Sequence, residues 1–132
     1  MKNRFYSLVA TALAFVGGLV SLQATVHNVS VNSNFYQPST LTIQAGDQVI
    51  WTQVSGAHNV NGTQGTFPNN PASFSSGAVA GGNWTYSFTF TIPGTYSYHC
   101  DPHAGMDGTI VVQPAAAQPC IEPFISEYLE GS

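Results

Sequence analysis

Nine consecutive residues, Trp84 to Ile92, alternate between large apolar and hydroxyl side chains. Trp84, Tyr86, Phe88, Phe90 and Ile92 fall on one side of an extended chain, and Thr85, Ser87, Thr89 and Thr91 on the other. Successive side chains of a β-strand point to opposite faces, so this alternation specifies a strand whose aromatic face belongs in a core. From Thr25 onward the chain repeats the theme in shorter pieces. Val26–Val31, Leu41–Ile43, Val49–Trp51, Thr95–Cys100 and Thr109–Val112 are β-type runs, punctuated by turn signals such as Ala45-Gly46-Asp47 and Pro93-Gly94. Residues 61–83, rich in Gly, Asn, Pro and Ser, read as a long loop region. No segment before the tail sustains a helical apolar period, and there is no internal repeat. The expected fold is an all-β, Greek-key sandwich of about seven or eight strands.

A length of 132 residues allows one domain. Only 6% of the residues are charged, against about 25% in an ordinary soluble domain. The 43% hydrophobic and 12% aromatic content nevertheless argues for a packed core rather than disorder. Lys2 and Arg4 are the two cationic residues, and six carboxylates accompany them. Past residue 4 nothing can displace counterions from nucleic acid or clamp a phosphate with a fixed cation, which excludes most functions of those classes.

Lys2 and Arg4 precede an uncharged run from Phe5 to Leu22, most apolar between Leu8 and Val20, and the small residue Ala24 follows. Residues 1–24 therefore read as a secretory signal cleaved after Ala24. An uncleaved membrane anchor is the alternative, weakened by Ser7, Thr11, Gly17 and Gly18 within the run. No lipobox-like Cys follows, so a soluble, periplasmic or secreted protein in an oxidising compartment is expected. Residues 25–113 form the domain. Residues 114–132 form a tail with no functional reading, opening on a Pro- and Ala-rich linker and containing Glu122, Glu127, Glu130 and Cys120.

One cluster carries chemistry. Cys100, His103 and Met106 follow the spacing C-x2-H-x2-M at the end of a strand, and His58 lies shortly after the Val49–Gln53 run. Two His, one Cys and a weakly bound Met are the donor set of a blue-copper electron-transfer site. Thiolate and thioether are soft ligands that favour Cu(I), while imidazole suits both oxidation states. A geometry acceptable to both keeps reorganisation small and lets electrons move quickly. His99 precedes Cys100 on the strand and so points to the opposite face; it is left out of the site, as is His27 near the N-terminus, which is expected to be exposed.

With these residues the sequence resembles the cupredoxins, the family of plastocyanin, pseudoazurin and amicyanin, over about residues 26–113. Phe35 to Trp51 looks like the family's N-terminal strands, His58-Asn59-Val60 like its first-ligand segment, and Gly94 to His103 like its second. The short C-x2-H-x2-M loop is closest to that of amicyanin. The resemblance implies one type 1 copper per chain, cycling between Cu(I) and Cu(II), bound by His58, Cys100, His103 and an axial Met106. It implies a one-electron carrier, not an enzyme, that docks donor and acceptor proteins on the surface around His103, with contributions from Pro102 and Ala104. It also implies a backbone donor from Asn59 to the Cys100 sulfur, whereas Pro102 has no amide proton to offer. Asp101 departs from the Ser or Thr common in relatives, and a carboxylate there is expected to lower the reduction potential.

The remaining alternatives differ in what else they require. Two cysteines in an exported protein suggest a Cys100–Cys120 disulfide. The spacing to His103 and Met106 assigns Cys100 to the metal instead, leaving Cys120 free or paired between chains. A copper delivery or sequestration protein would use exposed Met- and His-rich tracts, which are absent from the sequence. A copper oxidase or nitrite reductase domain would need a second cluster of His ligands, and only His27 and His99 remain. A structural zinc site with a Met ligand would be unusual. The expected partners are redox proteins, with no nucleic acid, no stable membrane association after cleavage, and a monomeric chain. Asp47, Asp101 and Asp107 are the only charged residues within the sandwich. The last two are expected to bias docking mildly toward a basic partner.

Overall fold

The computed structural model describes residues 23–116. The expected signal segment up to residue 22, and the tail from 117 with Cys120, lie outside them. Eleven strands follow one another: β1 (Val26–Asn32), β2 (Phe35–Gln37), β3 (Thr40–Gln44), β4 (Gln48–Gln53), β5 (Ala57–His58), β6 (Asn61–Gly62), β7 (Phe74–Ser75), β8 (Ala80–Gly81), β9 (Thr85–Thr89), β10 (Gly94–His99) and β11 (Asp107–Gln113). They form one sheet of order β2-β1-β4-β9, a second of order β3-β11-β10-β6-β7, and a β5-β8 ribbon. Neighbours are mostly antiparallel, but β1 runs parallel to β4 and β3 parallel to β11. Those parallel pairs arise because the chain crosses between sheets instead of turning back within one. A cis Gln37–Pro38 peptide leads from β2 toward β3.

The strand count exceeds the expected seven or eight because four two-residue strands, β5 to β8, form in and beside the segment that reads as loop. Pieces that short carry no measurable period. Within that segment Phe74 enters the core and Asn70 is buried, its amide donating to the Gly62 and Ser97 carbonyls at 3.0 and 2.8 Å. Its carbonyl accepts the Ser97 amide at 2.8 Å, so one side chain pins the loop to β10.

The two main sheets face each other across an aromatic core. Val29 and Val31 of β1 and Val49 and Trp51 of β4 meet Tyr96 and Tyr98 of β10 and Ile110 and Val112 of β11. Trp51 is fully buried at the centre, its ring 5.5 Å from both Tyr86 and Tyr98 and 5.8 Å from Phe74. Burial of one such ring stabilises by about 1.5–3 kcal/mol before packing terms are counted.

The aromatic stripe enters this core only in part. Phe90 is completely buried, Trp84, Tyr86 and Phe88 are partly buried against the core, and Ile92 is 46% exposed. The reason is a change of backbone partner. β9 pairs with β4 only as far as Thr89. Phe90 then donates to the Asp47 carbonyl at 2.9 Å and accepts from the Gly46 amide at 2.7 Å, in the turn between β3 and β4. Beyond that exchange the alternation no longer matches a ladder, and Ile92 comes out on the surface.

Candidate metal centre

β4 ends at Gln53, and the chain turns through residues 54–56 into the β5–β8 ribbon that carries His58. Gln53 directs this turn from a buried position. Its side-chain amide donates to the carbonyls of Gly56, Ala80 and Gly82 at 2.8, 3.2 and 2.9 Å, tying both ribbon strands to the end of β4. Gly56 has φ +84°, and a Cβ there would meet His58 Nε2 at 2.5 Å. Only glycine leaves room for the ring as it stands.

The other donors follow β10. The Cys100 amide donates to the Met106 carbonyl at 3.0 Å, and the Met106 amide to the His103 carbonyl at 3.1 Å, closing a tight loop. Within it Cys100 and Met106 are buried at 2% and 1% exposure, and His103 is partly exposed. His99 faces away, as strand alternation requires, and packs edge-on against Phe67 with ring centroids 5.1 Å apart.

Three donor atoms converge from these two segments. His58 Nδ1 and His103 Nδ1 are 3.1 Å apart, and Cys100 Sγ lies 3.6 Å from the first and 3.4 Å from the second. At most one of the facing imidazole nitrogens can carry the proton between them. His58 Nε2 is buried with no partner in hydrogen-bond geometry. Two lone-pair donors and a thiol turned toward one point make a poor hydrogen-bond network but a good cation site, and the mixed N/S set suits copper. Among the described residues this is the one group of His, Cys or acidic side chains so arranged.

The protonation states agree with that reading. Burial, and then the neighbouring His103, hold the His58 pKa below that of an ordinary histidine, against the opposing pull of the Ser55 backbone. A neutral ring is what a metal ligand must be. Burial pushes the Cys100 thiol up, and the Asp101 carboxylate adds to it. The backbone amides of Asn59 and His103 work in the opposite direction. The Asn59 donor matches the sequence expectation. The His103 amide, which donates to the Cys100 carbonyl at 3.4 Å, is a contributor that the sequence does not announce.

Asp101 is the other surprise. Its carboxylate accepts from Asn59 Nδ2 and Asn61 Nδ2, both at 2.7 Å, and faces His99 Nε2 at 3.1 Å, while its own amide donates to Asn59 Oδ1 at 2.9 Å. The donors from Asn61 and Asn59 hold its pKa below the ordinary value despite some burial. Asp101 therefore clamps the Cys100 loop onto the His58 segment rather than standing free as a surface charge. Tyr36 adds a second brace, donating from its buried hydroxyl to the Asn59 carbonyl at 2.6 Å. His27, expected to be exposed, is instead partly buried beside Asp47, 2.9 Å from Nε2 to Oδ2.

Residues 23–113 match the family described as copper binding proteins, plastocyanin/azurin family. The chain belongs to that family. This cupredoxin is 42% identical to the plastocyanin of Prochlorothrix hollandica over 131 residues, an alignment covering 86% of this chain and 95% of the relative. Amicyanin-alpha of Methylorubrum extorquens is 34% identical over 108 residues, covering 79% of this chain and 88% of the relative. Among solved structures, an oxidised amicyanin variant superposes with a TM-score of 0.55 at 34% identity, over 76% of this chain and 88% of that one. Copper is the cofactor of this cupredoxin, and the convergent His and Cys side chains fit it. No helix among the described residues is long and apolar enough to cross a membrane.

Proposed function

We propose that this cupredoxin is an exported one-electron carrier, cleaved after Ala24, acting in the periplasm or outside the cell, with residues 25–113 as its working domain. His58, Cys100, His103 and Met106 hold one type 1 copper. The observation that carries this reading is the approach of His58 Nδ1, His103 Nδ1 and Cys100 Sγ to within 3.6 Å of one another from segments 42 or more residues apart. Copper, when bound, supplies the Cu(I)/Cu(II) couple. The protein's part is to keep the donors where they are in both oxidation states. Cys100, Met106 and His58 are walled off from water, and Asn59, Asp101, Gln53 and Tyr36 fix the segments that bear them. His103 is the donor that reaches the surface. It is flanked by exposed Pro102, Ala104 and Gly105, an uncharged face suited to brief contact with redox proteins.

The test is the visible spectrum of the copper-loaded protein. An intense blue band that Cys100→Ser abolishes, with the fold retained and one copper bound per wild-type chain, is the expected result. A colourless Cu(II) form would overturn the carrier reading in favour of delivery or sequestration. Met106→Leu should keep copper bound and raise the reduction potential, because the thioether donates electron density that favours Cu(II). A potential that is unchanged or lower would remove Met106 from the site.

A further inference from the structure

β4 separates two ends of the molecule: His58 lies beyond its last residue, and Asp47 precedes its first. Asp47 sits in the turn between β3 and β4 and is 7% exposed. Its Oδ1 accepts the Thr25 backbone amide at 2.8 Å. Its Oδ2 accepts the Gln44 amide at 3.0 Å and faces His27 Nε2 at 2.9 Å. The Thr25 carbonyl in turn accepts from the Gln48 amide at 2.9 Å. Thr25 is thus held at both backbone polar atoms. Gln23 and Ala24 before it are exposed, belong to no strand, and only border the recess beside Gln44–Asp47. Among the described residues, the backbone hydrogen bonds to the fold begin at Thr25, the residue that follows the expected cleavage point, and the two observations are independent.

We propose that Asp47 is a receptor for the α-ammonium group of Thr25, created when the Ala24–Thr25 peptide bond is hydrolysed. Water adds across that bond: its oxygen goes to the Ala24 carbonyl carbon, leaving with the signal segment as a carboxylate, and a proton goes to the Thr25 nitrogen, which takes a further proton from solvent. The carboxylate is ionised before and after; the donor gains a full positive charge, so an amide–carboxylate bond becomes an ammonium–carboxylate ion pair without any movement of the partners. Opposite charges in contact favour the charged form of each partner. The processed chain has no Lys or Arg, so this terminus becomes its only fixed-position cation apart from histidines. The segments packed on the turn, Thr25, Phe90 and Gln113, bring no other charged side chain, leaving Asp47 and His27 as the groups that face the terminus. Asp101 and Asp107 lie beside the copper loop at the other end. The binding reading rests on the processing reading, and the experiment separates them.

Intact mass of the exported protein reads the processing first: a chain starting at Thr25 is expected, and any other start overturns both readings. The processed chain has no lysine, so its α-amine is its only primary amine. Reductive methylation with 13C-formaldehyde then gives a single labelled resonance to titrate. Its midpoint should lie about half a pH unit or more above that of the same label on a peptide with the same first residues, because an opposite charge in contact favours the charged form. Asp47→Asn should return it to the peptide value. A wild-type midpoint equal to the peptide's, with the mass as expected, would overturn the receptor alone. Should Asp47→Asn not fold, wild-type protein carbamylated by cyanate, which neutralises the same amine, should melt below the methylated form. A raised folded midpoint means that this stabilisation is complete below the unfolded midpoint and fades as pH rises through the folded one. The melting gap should therefore close in alkali, and equal melting temperatures at neutral pH would overturn the proposal.

Discussion

Asn59 has its side chain and its carbonyl engaged, and its partners tie the two copper segments to each other and to the strands behind them. Its side-chain amide donates to Asp101 and to the Gly77 carbonyl at 3.0 Å, its side-chain oxygen accepts the Asp101 amide, its carbonyl accepts Tyr36, and its backbone amide faces Cys100. A residue adjacent to one ligand thereby dictates the position of another 41 places on, since Asp101 adjoins Cys100. Asp101→Ala removes three acceptor contacts at a half-exposed site, and urea denaturation should register a loss of about 1–2 kcal/mol. The blue band should weaken or shift as the Cys100 loop loosens. A spectrum and midpoint identical to wild type would mean that the clamp is ornamental. Gly56→Ala makes a sharper demand. Its methyl would intrude on His58 Nε2 where no cavity exists, so copper affinity should fall strongly while far-ultraviolet circular dichroism stays unchanged. Full copper occupancy with a native spectrum would show that the His58 ring can yield.

At the scale of elements, the ligand segments are held from behind by strands that contribute no ligand. β2 supplies Tyr36, whose buried hydroxyl would leave the Asn59 carbonyl without its partner if lost. Tyr36→Phe should cost about 1–3 kcal/mol of stability, read by thermal or urea unfolding of the copper-free protein. A change within error would place the hydroxyl's partner elsewhere. Much of this architecture could be read in the chain itself. β1, β3, β4, β10 and β11 lie where short β-branched and aromatic runs stand between turn signals, and the donor set was legible because Cys100, His103 and Met106 are neighbours in sequence. The rest has no local signature. Asn59 and Asp101 are 42 residues apart, and nothing in either neighbourhood announces the other. β6, β7 and β8 are too short to show alternation. Ile92 kept the pattern of its strand after the strand had ended, because the bonds that end it come from Gly46 and Asp47.

For the molecule as a whole, scarcity of charge makes each carboxylate count. Burial would push the Asp47 carboxyl up, but the Gln44 and Thr25 amides and His27 outweigh it and hold its pKa below the ordinary value. A depressed folded pKa contributes stability above the unfolded value, about 3.9, and that contribution is lost as pH falls through the folded one. Wild type should therefore lose stability relative to Asp47→Asn as acid is added, the two converging at low pH. A gap that is independent of pH would mean that packing, not charge, governs the turn. Docking is affected as well. Asp101 is committed to the clamp, so exposed Asp107 is the clean probe of electrostatic bias. Electron transfer to a redox partner should slow modestly with salt, and Asp107→Asn should reduce that slope. Stopped-flow rates that rise with salt would indicate an acidic partner.

The two parallel pairings have a consequence in time. β11 lies between β3 and β10, and Thr109 is in register with Thr40, 69 positions before it in the chain. The second sheet cannot close until nearly the whole domain is available, and Cys100 and Met106 lie just ahead of the strand that closes it. A topology dominated by such distant pairings folds slowly, on the order of milliseconds to seconds. It also remains open while the chain is incomplete, a state compatible with passage across a membrane before folding. Assembly of the copper pocket then becomes a late event, and metal uptake a report that the last strand is in place. In refolding of the copper-free chain, burial of Trp51 should not precede the gain of copper-binding competence by a resolvable phase.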